Sequence, residues 1–287
     1  MRFEFSFMRR RALAALAALP LARLVHAAEV ERTGGPYVPT PQVVVDEMLR
    51  MAKVGANDFV VDLGSGDGII VLTAAQKHKA RGFGVDIDPD LVKLSNNEAR
   101  RLGVAERALF YVQDVFKADI GKASVVTLYL LPGMMINLRP KIFGELKPGA
   151  RVVSHDYHFD EWQPDEQFTW DVPEKEKVNG IGSATIYLWI VPAKIAGRWQ
   201  VRVAGAEPYE LVLRQQYQNF DGTVSEGGKG TKLTYTQLRG EEIVFALPAV
   251  GGRYLFKGRV AGDTMEGTVE VASGKGTARW TATRIKS

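Results

Sequence analysis

The chain has 287 residues, 46% of them hydrophobic and 24% charged, which is the balance of a folded globular protein and excludes a mainly disordered one. It has no cysteine, so disulfides, thiolate metal centres and thiol nucleophiles are excluded, and four histidines leave little for a His-rich metal centre. The formal charge of +4 is unevenly spread: residues 1–28 carry five Arg and one Glu, residues 29–194 carry 19 basic and 23 acidic side chains, and residues 195–287 carry 13 and 9. No dense basic run marks a nucleic-acid surface, so no nucleic-acid partner is expected.

Residues 1–27 read as a leader. Met8-Arg9-Arg10-Arg11 precedes an apolar run from Ala12 to Ala22, and Val25-His26-Ala27 is a small-residue exit. That is the grammar of a bacterial export signal with cleavage after Ala27 and an exported or periplasmic destination. The run is too short for a transmembrane span, which needs about 20 apolar residues. An uncleaved leader would instead leave the protein cytosolic or close to a membrane.

From residue 33 to 194, strands and helices alternate. Thr40 is expected to cap a helix with Pro41 at its first position. The first strand is expected over 59–63, followed by a helix over 69–79. A second strand over 82–86 leads into a helix that starts at Pro89 and runs to Leu102. Strands over 109–112, 125–130 and 151–154 follow, with a helix through Met134, Leu138, Ile142 and Leu146 between the last two. A polar stretch then precedes a long strand over 184–191. Continuous apolar strands between helices predict a doubly wound, mostly parallel, Rossmann-like α/β sheet with an antiparallel edge. Helical periodicity stops at Pro192–Gly197. Seven short strands between glycine turns then predict a small all-β barrel or meander over 198–287.

The chemistry sits in Val60-Val61-Asp62-Leu63-Gly64-Ser65-Gly66-Asp67-Gly68, between a strand and a helix. Glycines let a backbone approach a ligand closely, and a helix N-terminus offers N–H groups. A dinucleotide loop would read G-x-G-x-x-G. Here the spacing is G-x-G-x-G, and Asp62 stands two residues before the first glycine. A carboxylate there suits a cationic ligand. Asp86 ends the second strand, where an acid can accept both hydroxyls of a ribose. Asp114 follows the third strand. Together these resemble the first motifs of class I S-adenosylmethionine-dependent methyltransferases. The resemblance implies S-adenosyl-L-methionine as cofactor, held by Asp62, Gly64, Ser65, Gly66, Asp67, Gly68, Asp86 and, near the adenine, Asp114.

Pro36-Tyr37-Val38-Pro39-Thr40-Pro41 before that loop, and Leu146-Lys147-Pro148-Gly149 with Trp162 and Pro164 after it, narrow the likeness. Over roughly residues 36–165 the chain resembles the protein-lysine methyltransferases that modify adenine nucleotide translocase and the ATP synthase c-subunit. The glycine-rich C-terminal region has no counterpart in them. The resemblance implies a protein-lysine acceptor, with Tyr37 and Tyr129 as the residues lining it, since aromatic faces suit a methylammonium. Two other readings stay open: a small-molecule methyltransferase whose β region shapes the acceptor pocket, and an exported binding protein on a degenerate scaffold. His155, Asp156 and His158 follow the fifth strand. No metal site is expected there.

Overall fold

The computed structural model describes residues 35–226, 229–249, 252–270 and 276–286. The leader over 1–27 lies outside the described residues. Five helices and 16 strands are arranged around two sheets among the described residues. The first sheet has seven strands in the order β3-β2-β1-β4-β5-β7-β6. These are β1 (Phe59–Leu63), β2 (Arg81–Asp86), β3 (Ala108–Val112), β4 (Val125–Leu128), β5 (Arg151–His155), β6 (Glu166–Asp171) and β7 (Ser183–Ile190). β1 to β5 are parallel, and β7 runs antiparallel to both of its neighbours.

Burial on both faces explains the unbroken apolar runs. On one face Val61, Leu63, Val126, Leu128 and Val152 pack on Met135, Leu138 and Ile142 of α4 (Pro132–Glu145). On the other, Val60, Val125, Val153, Ile186 and Leu188 pack on Val44, Val45, Met48 and Leu49 of α1 (Gln42–Met51). Ile70 and Ala74 of α2 (Ile69–His78) join that face, while Val71 and Ala75 meet Val92 and Ala99 of α3 (Pro89–Arg101).

Local signals set most helix starts. The Asp88 carboxylate accepts from the N–H groups of Asp90 and Leu91, and Pro89 supplies a preset first turn. The expected cap at Thr40 does not form. Pro41 is the boundary residue, and the first turn instead closes on its carbonyl, with the N–H groups of Val44 and Val45 donating at 2.9 and 3.1 Å. Two elements lie in the stretch read as merely polar. One is β6, an edge strand whose side chains are nearly all exposed, so it has no apolar alternation. The other is α5 (Pro173–Asn179), a single polar segment framed by Pro173 and Gly180.

The second sheet is wholly antiparallel, with nine strands in the order β11-β10-β9-β8-β16-β15-β14-β13-β12. They are β8 (Gly197–Val203), β9 (Tyr209–Gln216), β10 (Asn219–Glu226), β11 (Lys229–Lys232), β12 (Tyr235–Arg239), β13 (Glu242–Ala249), β14 (Gly252–Ala261), β15 (Thr264–Glu270) and β16 (Thr277–Arg284). The sequence reading has seven strands here. It misses β10, whose Asp221 and Gly222 read as a turn, and it joins β11 to β12. The sheet curls into a half-barrel. Leu233 N–H donates to the Gly222 carbonyl at 3.0 Å, drawing the two ends together. Trp199, Phe245, Phe256 and Trp280 fill the inside.

The two sheets are tightly joined. Tyr217, in the β9–β10 turn, stacks on Trp162 at 5.5 Å and meets Phe143 edge-on at 5.7 Å, with the Arg139 guanidinium over its ring. The segment between the sheets is pinned along its length. Ala193 N–H donates to Gly240 O, Gln215 accepts from Ile195 N–H and donates to Ala193 O, and Arg284 donates to Lys194 O. A mobile linker there would invite proteolysis, and the structure holds none. We therefore expect trypsin to leave residues 192–197 intact in the native protein. Tyr217→Ala should cost about 2–3 kcal/mol, the loss expected for a partly buried aromatic, and should expose the Lys194 bond. Thermal melts with mass mapping of the fragments check both.

Candidate active site

Asp62 is the last but one residue of β1 and is buried beneath the glycine loop, 2% exposed. Its Oδ1 accepts from Thr127 Oγ1 of β4 at 2.7 Å. Register pairs these two residues across the parallel ladder, so the bond follows from the fold. Burial, together with the nearby Asp86 and Asp67 carboxylates, pushes the Asp62 pKa up to about 7 against the single opposing hydrogen bond from Thr127. Three acidic groups thus converge, and among the described residues no cation is paired to Asp62. That arrangement calls for a cation from outside.

The loop that follows has all three glycines in the left-handed region, Gly64 at φ 82°, Gly66 at 52° and Gly68 at 81°. A side chain at Gly66 would strike Tyr37, whose Cε2 lies 2.6 Å from where a Cβ would stand. The loop's N–H groups are largely committed. Gly64 and Ser65 both donate to Val85 O at 2.9 Å, Gly68 donates to Ser65 O at 2.8 Å, and Gly66 donates to Asp86 Oδ2 at 2.9 Å. The loop therefore offers a bare backbone surface more than free donors. The Ser65 side chain is buried against Gly84 of β2, and its hydroxyl has no hydrogen-bond partner among the described residues.

Asp86 ends β2. Its second oxygen, Oδ1, accepts from Asp88 N–H at 2.9 Å, so each carboxylate oxygen holds one backbone donor and keeps a lone pair. Such a fixed carboxylate suits a vicinal diol. Asp67, just before the Gly68 N-cap of α2, accepts from Ile69 N–H at 3.2 Å, and its charge lies close to the Tyr37 hydroxyl. Asp114 stands two residues beyond β3, where its Oδ1 accepts from Phe116 N–H at 2.9 Å.

The two tyrosines part company. Tyr37 lies on the glycine loop, where burial and Asp67 raise its pKa above the ordinary phenol value. Tyr129 stands one residue past β4 in a separate cluster. Its ring centroid is 4.0 Å from that of His155 and 6.3 Å from that of Tyr157. Burial first, then Asp156, pushes the Tyr129 pKa up to about 12. Leu130 and Leu131 come between, packing on Gly64 and Gly35. β5 ends at His155, so strand alternation does not carry on to Asp156 and His158. Asp156 turns into the left-handed region at φ 62°, and His158 is exposed, its Nδ1 accepting from Asp160 N–H. Among the described residues no group of three or more His, Asp and Glu is arranged to hold a metal. Thr127 and the α5 residues Lys175 and Asn179 escape the sequence reading. Register with β1 could have flagged Thr127.

The strand order, the bare glycine loop and the row of carboxylates at the strand ends define a class I S-adenosylmethionine-dependent methyltransferase. The site fits that cofactor: a buried unpaired acid for its positive charge, a Cβ-free surface, and a fixed carboxylate for its ribose. The ANTKMT methyltransferase domain model matches residues 62–166. A protein-lysine N-methyltransferase of Saccharolobus islandicus is 39% identical over 157 residues, covering 54% of this chain and 93% of that protein. A Xenopus laevis lysine N-methyltransferase of the ATP synthase c-subunit is 38% identical, covering 46% of this chain and 58% of that one. A crystal structure described as an RNA methyltransferase from Salinibacter ruber, in complex with S-adenosyl-L-homocysteine, is 48% identical, with a TM-score of 0.50, over 55% of this chain and 96% of that chain. The chain belongs to the ANTKMT methyltransferase family. All of these matches leave a large part of the chain uncovered.

The raised Asp62 pKa gives a signed prediction. An acid whose folded pKa is above its unfolded value stabilises fully below the unfolded value, near 3.8, and loses that contribution as pH rises through about 7. The whole span is worth at most about 4 kcal/mol. Without cofactor, the melting temperature should fall between pH 5 and 8 in the wild type and stay flatter in Asp62→Asn. Affinity for the cationic cofactor should rise about tenfold from pH 6 to 8, and Asp62→Asn should abolish the rise. Calorimetric titration at three pH values checks it.

Proposed function

We propose that the chain is a protein-lysine N-methyltransferase. The observation that supports this most is that the lysine methyltransferase from Saccharolobus islandicus aligns over nearly its full length at 39% identity. The aromatic group of Tyr129, just past β4, and Tyr157, just past β5, agrees with it, because an aromatic face attracts the methylammonium product. Bound S-adenosylmethionine supplies an activated methyl group on a sulfonium, so no covalent nucleophile is required of the chain. What remains for its residues is to hold the cofactor, exclude water and admit the acceptor amine in its neutral form. In this reading Asp62, Gly64, Gly66, Gly68 and Asp86 hold the cofactor, Asp114 lies near its adenine, Tyr37 covers the loop and Tyr129 faces the acceptor.

A second reading, RNA as acceptor, has one observation in its favour, the description of the Salinibacter ruber relative. A small-molecule pocket shaped by the half-barrel has less support. The half-barrel and the connector before it touch Gly144 near the end of α4, Gly149 before β5 and Glu166 at the start of β6. Those residues lie at the edge where the parallel strands begin, away from the glycine loop. Incubating the protein with tritiated S-adenosylmethionine and either poly-L-lysine or total RNA separates the readings. Label should enter poly-L-lysine. Label in RNA alone would overturn the lysine assignment.

Asp86→Ala should weaken cofactor binding by about two to four orders of magnitude, since two charge-assisted hydrogen bonds of roughly 1.5–3 kcal/mol each are lost. Asp263→Ala, whose partner is Arg284 in the half-barrel, is the control and should bind as wild type does. Equal affinity for wild type and Asp86→Ala would remove the ribose assignment. We also propose that residues 1–27 direct export and are removed. N-terminal sequencing of native material should begin at Ala28, and retention of Met1 or Met8 would refute removal.

A further inference from the structure

Between β6 and β7 stands α5, and its one buried side chain is a lysine. Lys175 is 1% exposed. Its ammonium donates to the Asp156 carboxylate and to the Ser183 carbonyl, the latter at 2.6 Å. The left-handed turn at Asp156 aims that carboxylate back at the sheet edge, where its other oxygen accepts from Thr185 N–H at 3.1 Å. Burying the ammonium against a half-buried carboxylate costs desolvation energy, and an apolar contact would hold the helix at less cost. What the pair supplies is a single fixed position for α5.

The group so fixed is Asn179, the last residue of α5. Its amide oxygen accepts from Ile181 N–H at 3.1 Å, and its NH2 lies near enough to the Tyr129 hydroxyl to draw that group's pKa down, against the larger upward push of burial. Tyr129 is held from behind as well. The fully buried His155 ring lies 4.0 Å from it, and neither imidazole nitrogen has a hydrogen-bond partner among the described residues. His155 Nε2 is 3.5 Å from Asp156 Oδ2, so both supports of Tyr129 lead back to one ion pair.

We propose that Asp156, Lys175 and Asn179 are positioning residues for the methyl acceptor: the buried pair sets α5, and α5 sets the Tyr129 ring and hydroxyl that guide the acceptor amine. The proposal rests on the reading that Tyr129 faces the acceptor. A wall that holds the acceptor amine equally before and during transfer acts on its KM, so loss of its support is read there.

Asn179→Ala and Lys175→Met in the full chain test it. The first readout is the NMR resonance of 13C-labelled tyrosine Cζ, with Tyr129 assigned from Tyr129→Phe. It should move in both variants. The second is kinetics with poly-L-lysine. KM for poly-L-lysine should rise about five- to tenfold in both, while S-adenosylhomocysteine binds within about twofold of wild type, the split expected of a group that acts on one substrate only. Lys175→Met also risks unfolding, so the surface variant Asn179→Ala carries the test if it does. An unmoved Tyr129 resonance in Asn179→Ala would overturn the coupling itself. A resonance that moves, with poly-L-lysine KM unchanged in Asn179→Ala and in Tyr129→Ala alike, would overturn the placing of the acceptor at Tyr129 and this proposal with it.

Discussion

A carboxylate buried without a cation is expensive, and the α/β half of this protein is organised around one. Asp62 sits under the glycine loop with one hydroxyl donor, Thr127, and two other acids nearby. Protonation removes the charge, and in the proposed reading a bound cation would balance it. The surrounding geometry follows from that choice. β1 and β4 must be neighbours for Thr127 to reach. The loop must turn at once after Leu63 so that a ligand can come close, which demands three left-handed glycines in five residues. The end of β2 must lie beside the loop so that Asp86 can hold Gly66.

The strand ends present two sides with different physics. On the loop side, contacts are backbone surface, carboxylates and the Tyr37 ring, a setting for a polar, charged ligand. On the β4–β5 side, Tyr129, His155 and Tyr157 form an aromatic group beside the partly buried Asp156–Lys175 pair. Leu130 and Leu131 separate the two. In the proposed reading, such a division would serve a cofactor and an acceptor that must meet at one atom yet carry different charge.

Much of this was legible in sequence because the relevant signals are local. The apolar runs of β1, β4 and β5 reflect burial on both faces, and Asp62, Gly64, Gly66 and Asp86 stand at fixed offsets from strand ends. What was hidden depends on contacts distant in sequence. Thr127 reads as an ordinary β-branched strand residue until register pairs it with Asp62. β6 has no apolar alternation because it is an exposed edge, and with β6 unread, Lys175 and Asn179 fall in a polar stretch that looks like a loop. Lys175 shows the limit most clearly, since nothing in Pro173-Glu174-Lys175-Glu176-Lys177 tells which lysine is buried. The β9–β10 hairpin was missed for a related reason: Asp221 and Gly222 have turn chemistry but pair here as strand.

The half-barrel is fastened to the far edge of the transferase sheet by Tyr217 and a pinned connector, and among the described residues no hydrogen bond or ion pair joins it to the glycine loop. Selection can therefore act on the two halves separately. Mutations on the outward strands of the half-barrel can drift, or be exchanged for another module through the same socket of Phe143 and Trp162, without passing through a state in which the chemistry is lost. Chain length in such a lineage would then vary at this junction while the spacing from Asp62 to His155 stays constant.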